Sequence, residues 1–423
     1  MLDRTVGPKS GAIQFTSLIE PVEHNLANGC RLFVLNAGDQ PVVKFEIQIE
    51  ASIWQEKTAG ISWFTAKMLA EGSVEKAAHK IASIFDFFGA HIEISPGFDH
   101  TSISLYCLKR HFESTLILFQ EVLYNPAFPE KELDTLLNIR RQQIRLNNEK
   151  NSFISSKNIR KALYGNIHPY GRSLSENDLE NIDTSALKHQ FDNGFIGKPL
   201  LFLSGLVGST ETQLVSELFG NLSFKETSAK NEVFNIEQSA NASEEKQKSI
   251  QSAIKLGWHI PDKNHENHYK ILVTNEVLGG YFGSRLMKNL REEKGLTYGI
   301  NSYPIFFKEA AFLLIGTEVV AEKTQLAHNE IIKEIELLKN ETIQMDELQT
   351  VTSYMAGSFL SKISTPFHLM DKFQSLHQHN LDYSYYEYFF EALKSITPDD
   401  IKETANTYFD LSKVSTAVAG KLG

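Results

Sequence analysis

The sequence contains few of the residues that mark secreted, disulfide-rich or nucleic-acid-binding proteins. It has only two cysteines, Cys30 and Cys107, among 423 residues, which excludes a disulfide framework and a cysteine-based zinc site. Both lie in apolar, strand-like runs, so we expect buried free thiols. The net charge of −10 argues against nucleic acid as a partner, because such proteins carry a clustered basic surface.

Long apolar runs are also missing. No stretch of about 18 apolar residues occurs, so we expect no membrane span. The segment from Met1 to Gly11 contains no apolar core of a signal peptide. A cytoplasmic location is therefore the default expectation. A periplasmic location stays open, because a chain trimmed of its leader would look the same.

The composition that remains is that of a globular protein, and its pattern repeats. Residues 43–51 alternate with Val43, Phe45, Ile47 and Ile49 on one face and Lys44, Glu46, Gln48 and Glu50 on the other. This alternation predicts a strand with one face buried.

The order of strands and helices in the first half restarts in the second half, and the length also indicates more than one domain. Between the halves, residues 225–248 are polar and aperiodic and are interpreted as a linker. The predicted fold class is α+β, with homologous domains at 15–224 and 249–423. Each domain is expected to be a mainly antiparallel sheet covered by helices.

The most specific motif lies in the second half. Residues 278–300 read LGGYFGSRLMKNLREEKGLTYGI. This stretch resembles the C-terminal half of the insulinase-like, pitrilysin or M16 metallopeptidases, in which a glycine-rich turn precedes a helix of the form S-R-L-x-x-x-L-R-E-x-x-G-L-x-Y. The first half adds an early Asn28-Gly29 strand start, a Gly60-Ile-Ser-Trp-Phe helix and the tetrapeptide His168-Pro-Tyr-Gly. The resemblance covers about residues 20–420.

The resemblance implies the LuxS/MPP-like metallohydrolase fold in its half-size form, with two homologous domains per chain and two chains in a clam-shell. In this family, zinc is bound by an inverted H-x-x-E-H motif on one helix. Residues four apart share a helix face, so both imidazoles reach one ion. The glutamate beside them acts as a base on the bound water, and a second, distant glutamate completes the ligand set.

The zinc-binding residues are absent from this sequence. Aligned on Gly60, Trp63, Ala66 and Lys67 stand at the motif positions, and Gln143 stands at the position of the distant glutamate. Tryptophan cannot bind zinc, alanine cannot act as a base, lysine repels a cation and glutamine lacks the charge. Neither H-x-x-E-H nor H-E-x-x-H occurs elsewhere in the sequence. We therefore expect no metal and no cofactor in this chain.

Two residues of the second-half motif keep their family identity. Arg291 and Tyr298 match an arginine and a tyrosine that, as the resemblance implies, reach across the chamber to the zinc site of the opposing domain. Their implied role is to hold substrate and to donate hydrogen bonds to the oxyanion. By residue type alone they would be an ordinary surface arginine and strand tyrosine, but their place within the motif favours function.

The remaining histidines are less informative. His265 and His268 lie at a predicted helix start, and His377 and His379 lie near a helix end. We expect all four on the surface, because helix termini are polar and a histidine near a helix C-terminus suits the helix dipole.

Three functions stay open. The first is a non-catalytic subunit of a heterodimeric M16-type peptidase. This subunit would supply part of the chamber wall and contact a peptide substrate through Arg291 and Tyr298, and its partner would be a zinc-bearing homologue. The second is a non-proteolytic scaffold, like the core subunits of a respiratory complex that share this fold. The least favoured is an active metallopeptidase with a relocated site. Whether the chain pairs with itself also stays open.

Overall fold

The computed structural model describes residues 17–50, 52–54, 56, 58–224 and 241–421. The strands are β1 Val22–Asn25, β2 Arg31–Asn36, β3 Val42–Glu50, β4 His91–Pro96, β5 His100–Leu108, β6 Leu200–Gly205, β7 Ala242–Glu245, β8 Gln251–His259, β9 Thr297–Phe306, β10 Ala311–Val320 and β11 Ser415–Gly420. The α-helices are α1 Ile61–Met68, α2 Ala78–Phe88, α3 Phe112–Tyr124, α4 Glu130–Glu149, α5 Asn151–Tyr164, α6 Thr184–Gln190, α7 Ser209–Phe219, α8 His268–Asn275, α9 Thr324–Asn340, α10 Met345–Ser361, α11 Pro366–His377, α12 Ser384–Ser395 and α13 Pro398–Tyr408.

The strands form one sheet in each half of the chain. The first sheet has six strands in the order β1-β2-β6-β3-β5-β4, and the second has five in the order β7-β11-β8-β10-β9. Among the strands of the described residues, only the pairs β2/β6 and β7/β11 are parallel. Each sheet has its own apolar core against the helices of its half. The predicted α+β class with mainly antiparallel sheets is confirmed.

The expectation that β3 exposes its polar face is wrong. Lys44, Glu46 and Gln48 are all buried, because a helix from the other half covers the second face of the first sheet. Helix α11 packs on β2 and β6, and the Lys44 amine lies 2.6 Å from the Glu46 carboxylate and 3.3 Å from Asp371 on α11. The alternation therefore marks an apolar core on one side and a buried ion-pair network on the other.

One helix from each half packs on the sheet of the other half. Helix α5, which precedes β6 in the chain, packs on β8 and β11 of the second sheet. Gly257 on β8 lets α5 approach closely, because an added Cβ would lie 3.2 Å from Leu163 and 3.3 Å from Ile159. Helix α11 covers the first sheet in return. The halves are thus joined by two reciprocal helix–sheet contacts.

A second joint between the halves involves the His168-Pro-Tyr-Gly tetrapeptide. Tyr170 is fully buried, and its hydroxyl donates a hydrogen bond to Asp99 on the hairpin between β4 and β5. Its ring stacks on Phe307, with the ring centres 4.1 Å apart. The other Asp99 oxygen accepts a hydrogen bond from the Lys308 backbone N–H at 2.9 Å. The tetrapeptide therefore ties the β4–β5 hairpin to the β9–β10 hairpin.

The predicted linker lies mostly outside the described residues, which omit 225–240. Its final part contains β7, which pairs with β11 at the edge of the second sheet. Cys30 and Cys107 are buried free thiols, as expected. In the part of the chain that the structure describes, no helix is both long and apolar enough to cross a bilayer.

Candidate functional site

Helix α1 carries the positions that correspond to the zinc motif. Gly60 precedes the helix with φ +87°, a left-handed conformation that favours glycine. The Glu56 carboxylate accepts hydrogen bonds from the N–H groups of Gly60 and Ser62, each at 3.1 Å. Anions suit the helix N-terminus, so this contact fixes where α1 begins. Phe64 and Met68 are fully buried, which sets the rotation of the helix.

The structure brings α1 together with α4 at these positions. Ala66 is fully buried, whereas Trp63 lies partly exposed at the border of the first core. The Arg140 guanidinium carbon lies 4.4 Å from the centre of the Trp63 ring. Arg140 also donates to the Gln143 side-chain oxygen at 3.4 Å. Tryptophan, arginine and glutamine therefore form one connected surface.

Lys67 is a second cation near the tryptophan. Its amine lies 6.0 Å from the centre of the Trp63 ring and donates a hydrogen bond to the carbonyl oxygen of Ile94 on the edge strand β4. Burial lowers the pKa of Lys67, although the negative charge of the nearby Glu93 acts to raise it. Burial also lowers the pKa of Arg140.

These residues do not fit a zinc ion. Lys67 and Arg140 place two cationic side chains near Trp63. A divalent cation bound there would be repelled by both. Among the described residues, no group of three or more His, Cys, Asp or Glu side chains is placed to hold a metal ion. Arg140 was missed by the sequence analysis, although it lies one helical turn before Gln143 and so shares its face of α4.

The motif at 278–300 divides into a packed part and an exposed part. Leu286 and Leu290 are fully buried. Arg285 makes two hydrogen bonds of 2.9 Å to the Glu347 carboxylate on α10. This forked geometry is the strong form of an arginine–carboxylate pair. Much of the motif is therefore explained by packing.

The exposed part begins next to Arg291, which is itself half-buried. Arg291 lies in the π-helical segment Met287–Glu293, and its guanidinium carbon is 4.7 Å from the centre of the Phe282 ring. Phe282 is itself 61% exposed. The structure thus holds the arginine against an aromatic ring at the surface, in a cation–π contact.

Tyr298 is 96% exposed, and a β-bulge explains why. Thr317 pairs with Ile300 and Val319 pairs with Thr297, so Tyr298 and Gly299 together lie opposite Glu318. A bulge redirects a side chain and often occurs near functional sites. Glycine within a strand is a sequence signal for such a bulge.

Two threonine hydroxyls hold the bulge. The Thr297 hydroxyl accepts a hydrogen bond from the Gly299 N–H at 3.1 Å and donates to the Glu318 carbonyl oxygen at 2.8 Å. The Thr317 hydroxyl donates to the Gly299 carbonyl oxygen at 3.0 Å. The irregular backbone therefore keeps its polar groups paired, and Tyr298 is presented from a fixed position.

The surface prediction for the histidines is wrong at two positions. His268 is 1% exposed and His379 is 8% exposed. The His268 ring packs inward against Phe306 and Tyr385. The His268 Nε2 atom lies 2.8 Å from the Tyr385 hydroxyl. Burial, together with the positive charge of Lys263, lowers the pKa of His268 to about 3 and that of His379 to about 4.

Two family models match the chain. The model described as "Insulinase (Peptidase family M16)" matches residues 36–178, and the model described as "Peptidase M16 inactive domain" matches residues 201–354. The first match contains Trp63, Lys67 and Gln143, and the second contains Arg291 and Tyr298.

Curated relatives and solved structures agree with these models. The chain is 25% identical over 311 residues to an uncharacterized zinc protease, YmxG, of Bacillus subtilis, covering 72% of this chain and 75% of the relative. It is 24% identical over 318 residues to a protein named non-peptidase homolog YmxG of Helicobacter pylori, covering 73% and 72%. A peptidase M16 inactive domain from Pseudomonas fluorescens superposes with a TM-score of 0.83 at 24% identity, over 95% of this chain and 98% of that one. A protease from Helicobacter pylori superposes with a TM-score of 0.85 at 18% identity, over 95% and 100%.

Proposed function

Because the chain belongs to the M16 (insulinase) peptidase family, we propose that it is a non-catalytic member that works as one subunit of a heterodimeric zinc peptidase. In this role it supplies part of the chamber wall, and Arg291 and Tyr298 contact the peptide substrate. The zinc and its activated water come from a homologue that carries H-x-x-E-H. A relative named as a non-peptidase homologue supports the proposal that the chain alone does not cleave peptides.

One contrast carries the proposal. At the positions aligned with the family's metal motif, Arg140 stacks on Trp63 and the Lys67 amine lies 6.0 Å from the same ring, and two cations oppose the binding of zinc. At the opposing motif, a braced bulge keeps Tyr298 96% exposed. An exposed tyrosine on a fixed bulge is suited to donate a hydrogen bond to a tetrahedral intermediate that forms outside its own domain.

The test is reconstitution. The tagged chain is isolated from its native cells, the co-purifying M16 homologue is identified, and cleavage of an unfolded peptide is measured for each subunit alone and for the pair. We expect cleavage by the pair only, and loss of that cleavage with a zinc chelator. Arg291→Ala and Tyr298→Phe should leave the pair assembled and lower kcat by about 100- to 1000-fold, the range for removal of an oxyanion donor.

Two outcomes would overturn the proposal. If the chain purifies without a zinc-bearing homologue and adding one yields no cleavage, a scaffold role replaces it. If the pair cleaves and both variants keep full kcat, the chain contributes wall but no substrate contact. Arg285→Lys in the same pair serves as the control, because Arg285 is bound to Glu347 inside the chain and does not reach a substrate.

A further inference from the structure

A pocket of about 580 Å³ opens beside Tyr298. It lies over the ends of β8, β9 and β10, and Ser152 at the start of α5 forms part of its wall. The Thr297 and Thr317 hydroxyls lie there too, but both are engaged in bracing the bulge. They have no free donor for a ligand.

The cation of this pocket is Lys255 on β8. Residue 316, its partner on β10, is a glycine, and the lysine side chain lies across it. A Cβ added at Gly316 would collide with the Lys255 amine and would lie 3.0 Å from its Cδ. The absence of a side chain at Gly316 therefore leaves room for the Lys255 amine.

The Lys255 amine is poorly compensated. Burial lowers its pKa, and the only opposing influence is the charge of Glu318, an exposed residue at the pocket wall. Among the described residues, Lys255 is part of no ion pair within 4.0 Å. A half-buried ammonium without an anionic partner gains from an anion that enters the pocket, because a bound carboxylate replaces the lost hydration.

We infer that this pocket is a subsite for a peptide carboxylate, with Lys255 as the counter-ion. The group bound is either an aspartate or glutamate side chain or the C-terminal carboxylate of the peptide. A single ammonium with Glu318 at the wall suits a monoanion better than a doubly charged phosphate. The inference rests on the proposed function for the peptide nature of the ligand, and it adds a preference for acidic peptides at the Tyr298 side of the chamber.

The test measures binding by the full chain alone, without cleavage. Three fluorescent eight-residue peptides of otherwise equal sequence are titrated by anisotropy: one with a central glutamate and an amidated C-terminus, one with glutamine and an amidated C-terminus, and one with glutamine and a free C-terminus. We expect at least one carboxylate peptide to bind about 10-fold more tightly than the uncharged peptide, the size of one charge-assisted hydrogen bond. The arm that gains affinity identifies the source of the carboxylate.

Two variants link this gain to the pocket. Lys255→Met removes the charge and keeps the length, and Gly316→Ala displaces the amine; each should abolish the gain. Lys323→Met makes the same change in net charge at an exposed lysine outside the pocket and should retain it. Equal affinity for all three peptides, or a gain that survives Lys255→Met, overturns the inference. If no affinity gain depends on Lys255 but the pair still cleaves in an Arg291-dependent way, the pocket inference fails and the proposed function stands. If the gain depends on Lys255 but the pair does not cleave, the proposed function fails and the pocket inference stands.

Discussion

The guanidinium carbon of Arg140 lies 4.4 Å from the centre of the Trp63 ring. Trp63 stands where the family places the first zinc-binding histidine, and Arg140 stands on the helix that carries the position of the distant glutamate. We propose that this cation–π contact between the two helices takes the place of the family's metal site. Such a contact stabilises the helix pair by about 0.5–2 kcal/mol and can hold α1 against α4 without a metal.

Restoring the family residues should not be enough to restore zinc binding. In the variant Trp63→His, Ala66→Glu, Lys67→His and Gln143→Glu, the Arg140 guanidinium remains beside the new ligands and repels the ion. Adding Arg140→Leu should tighten zinc binding by at least about 10-fold, which corresponds to about 1.4 kcal/mol. Competition with a chromogenic chelator measures both affinities. Equal affinities would show that Arg140 does not oppose the metal.

Two buried tyrosines of one cluster predict opposite effects of losing a hydroxyl. The Tyr170 hydroxyl donates to the Asp99 carboxylate, so Tyr170→Phe should lower the free energy of unfolding by about 1.5–3 kcal/mol. The Tyr164 hydroxyl is buried and has no hydrogen-bond partner among the described residues, so Tyr164→Phe should be neutral or stabilising. Urea unfolding of both variants gives the comparison. An unchanged stability of Tyr170→Phe would show that the joint at Tyr170 is held by ring packing alone.

The two arginines of the motif should separate stability from function. Arg285→Lys breaks the forked pair with Glu347, whose two hydrogen bonds are each 2.9 Å, and should cost about 1–2 kcal/mol of unfolding free energy. Arg291→Lys keeps the charge at the surface and should change stability by less than about 0.5 kcal/mol. Differential scanning calorimetry of the two variants decides this. If Arg291→Lys is the more destabilising, its contact with Phe282 is structural and the substrate role loses its basis.

The parts of the fold set by local pattern could be predicted from the sequence. The strand at β3 follows from periodicity, and the helix after Gly60 follows from the family resemblance. The helix that each sheet receives from the other half of the chain could not be predicted. Lys44, Glu46 and Gln48 alternate like a solvent-facing row, and only the distant helix α11 turns them into a buried network. Thr365 caps the N-terminus of α11 by accepting a hydrogen bond from the His368 N–H, a signal that the sequence analysis did not use.

The candidate site divides in the same way. Residue types alone predict that zinc is not bound at Trp63, Ala66, Lys67 and Gln143. They do not reveal that Arg140 stacks on Trp63, because that depends on how α4 packs on α1. The exposure of Tyr298 likewise depends on a bulge whose bracing hydroxyls, on Thr297 and Thr317, lie on different strands.

The buried histidine His268 predicts a loss of stability in acid. In the folded chain, burial and the charge of Lys263 lower the pKa of His268 to about 3, whereas in the unfolded chain the pKa is near 6.5. Between these values the unfolded chain binds a proton that the folded chain does not. Stability is therefore complete above about pH 6.5 and falls as the pH falls.

The expected size of this term is about 3 kcal/mol between pH 7 and pH 4. His268→Gln removes it, so the variant should lose less unfolding free energy than the wild type over that range in urea titrations. His79→Gln, at an exposed position on α2, is the matched control and should follow the wild type. Parallel curves for wild type and His268→Gln would mean that the His268 ring takes up its proton without unfolding, because the packing around Phe306 and Tyr385 opens to admit water.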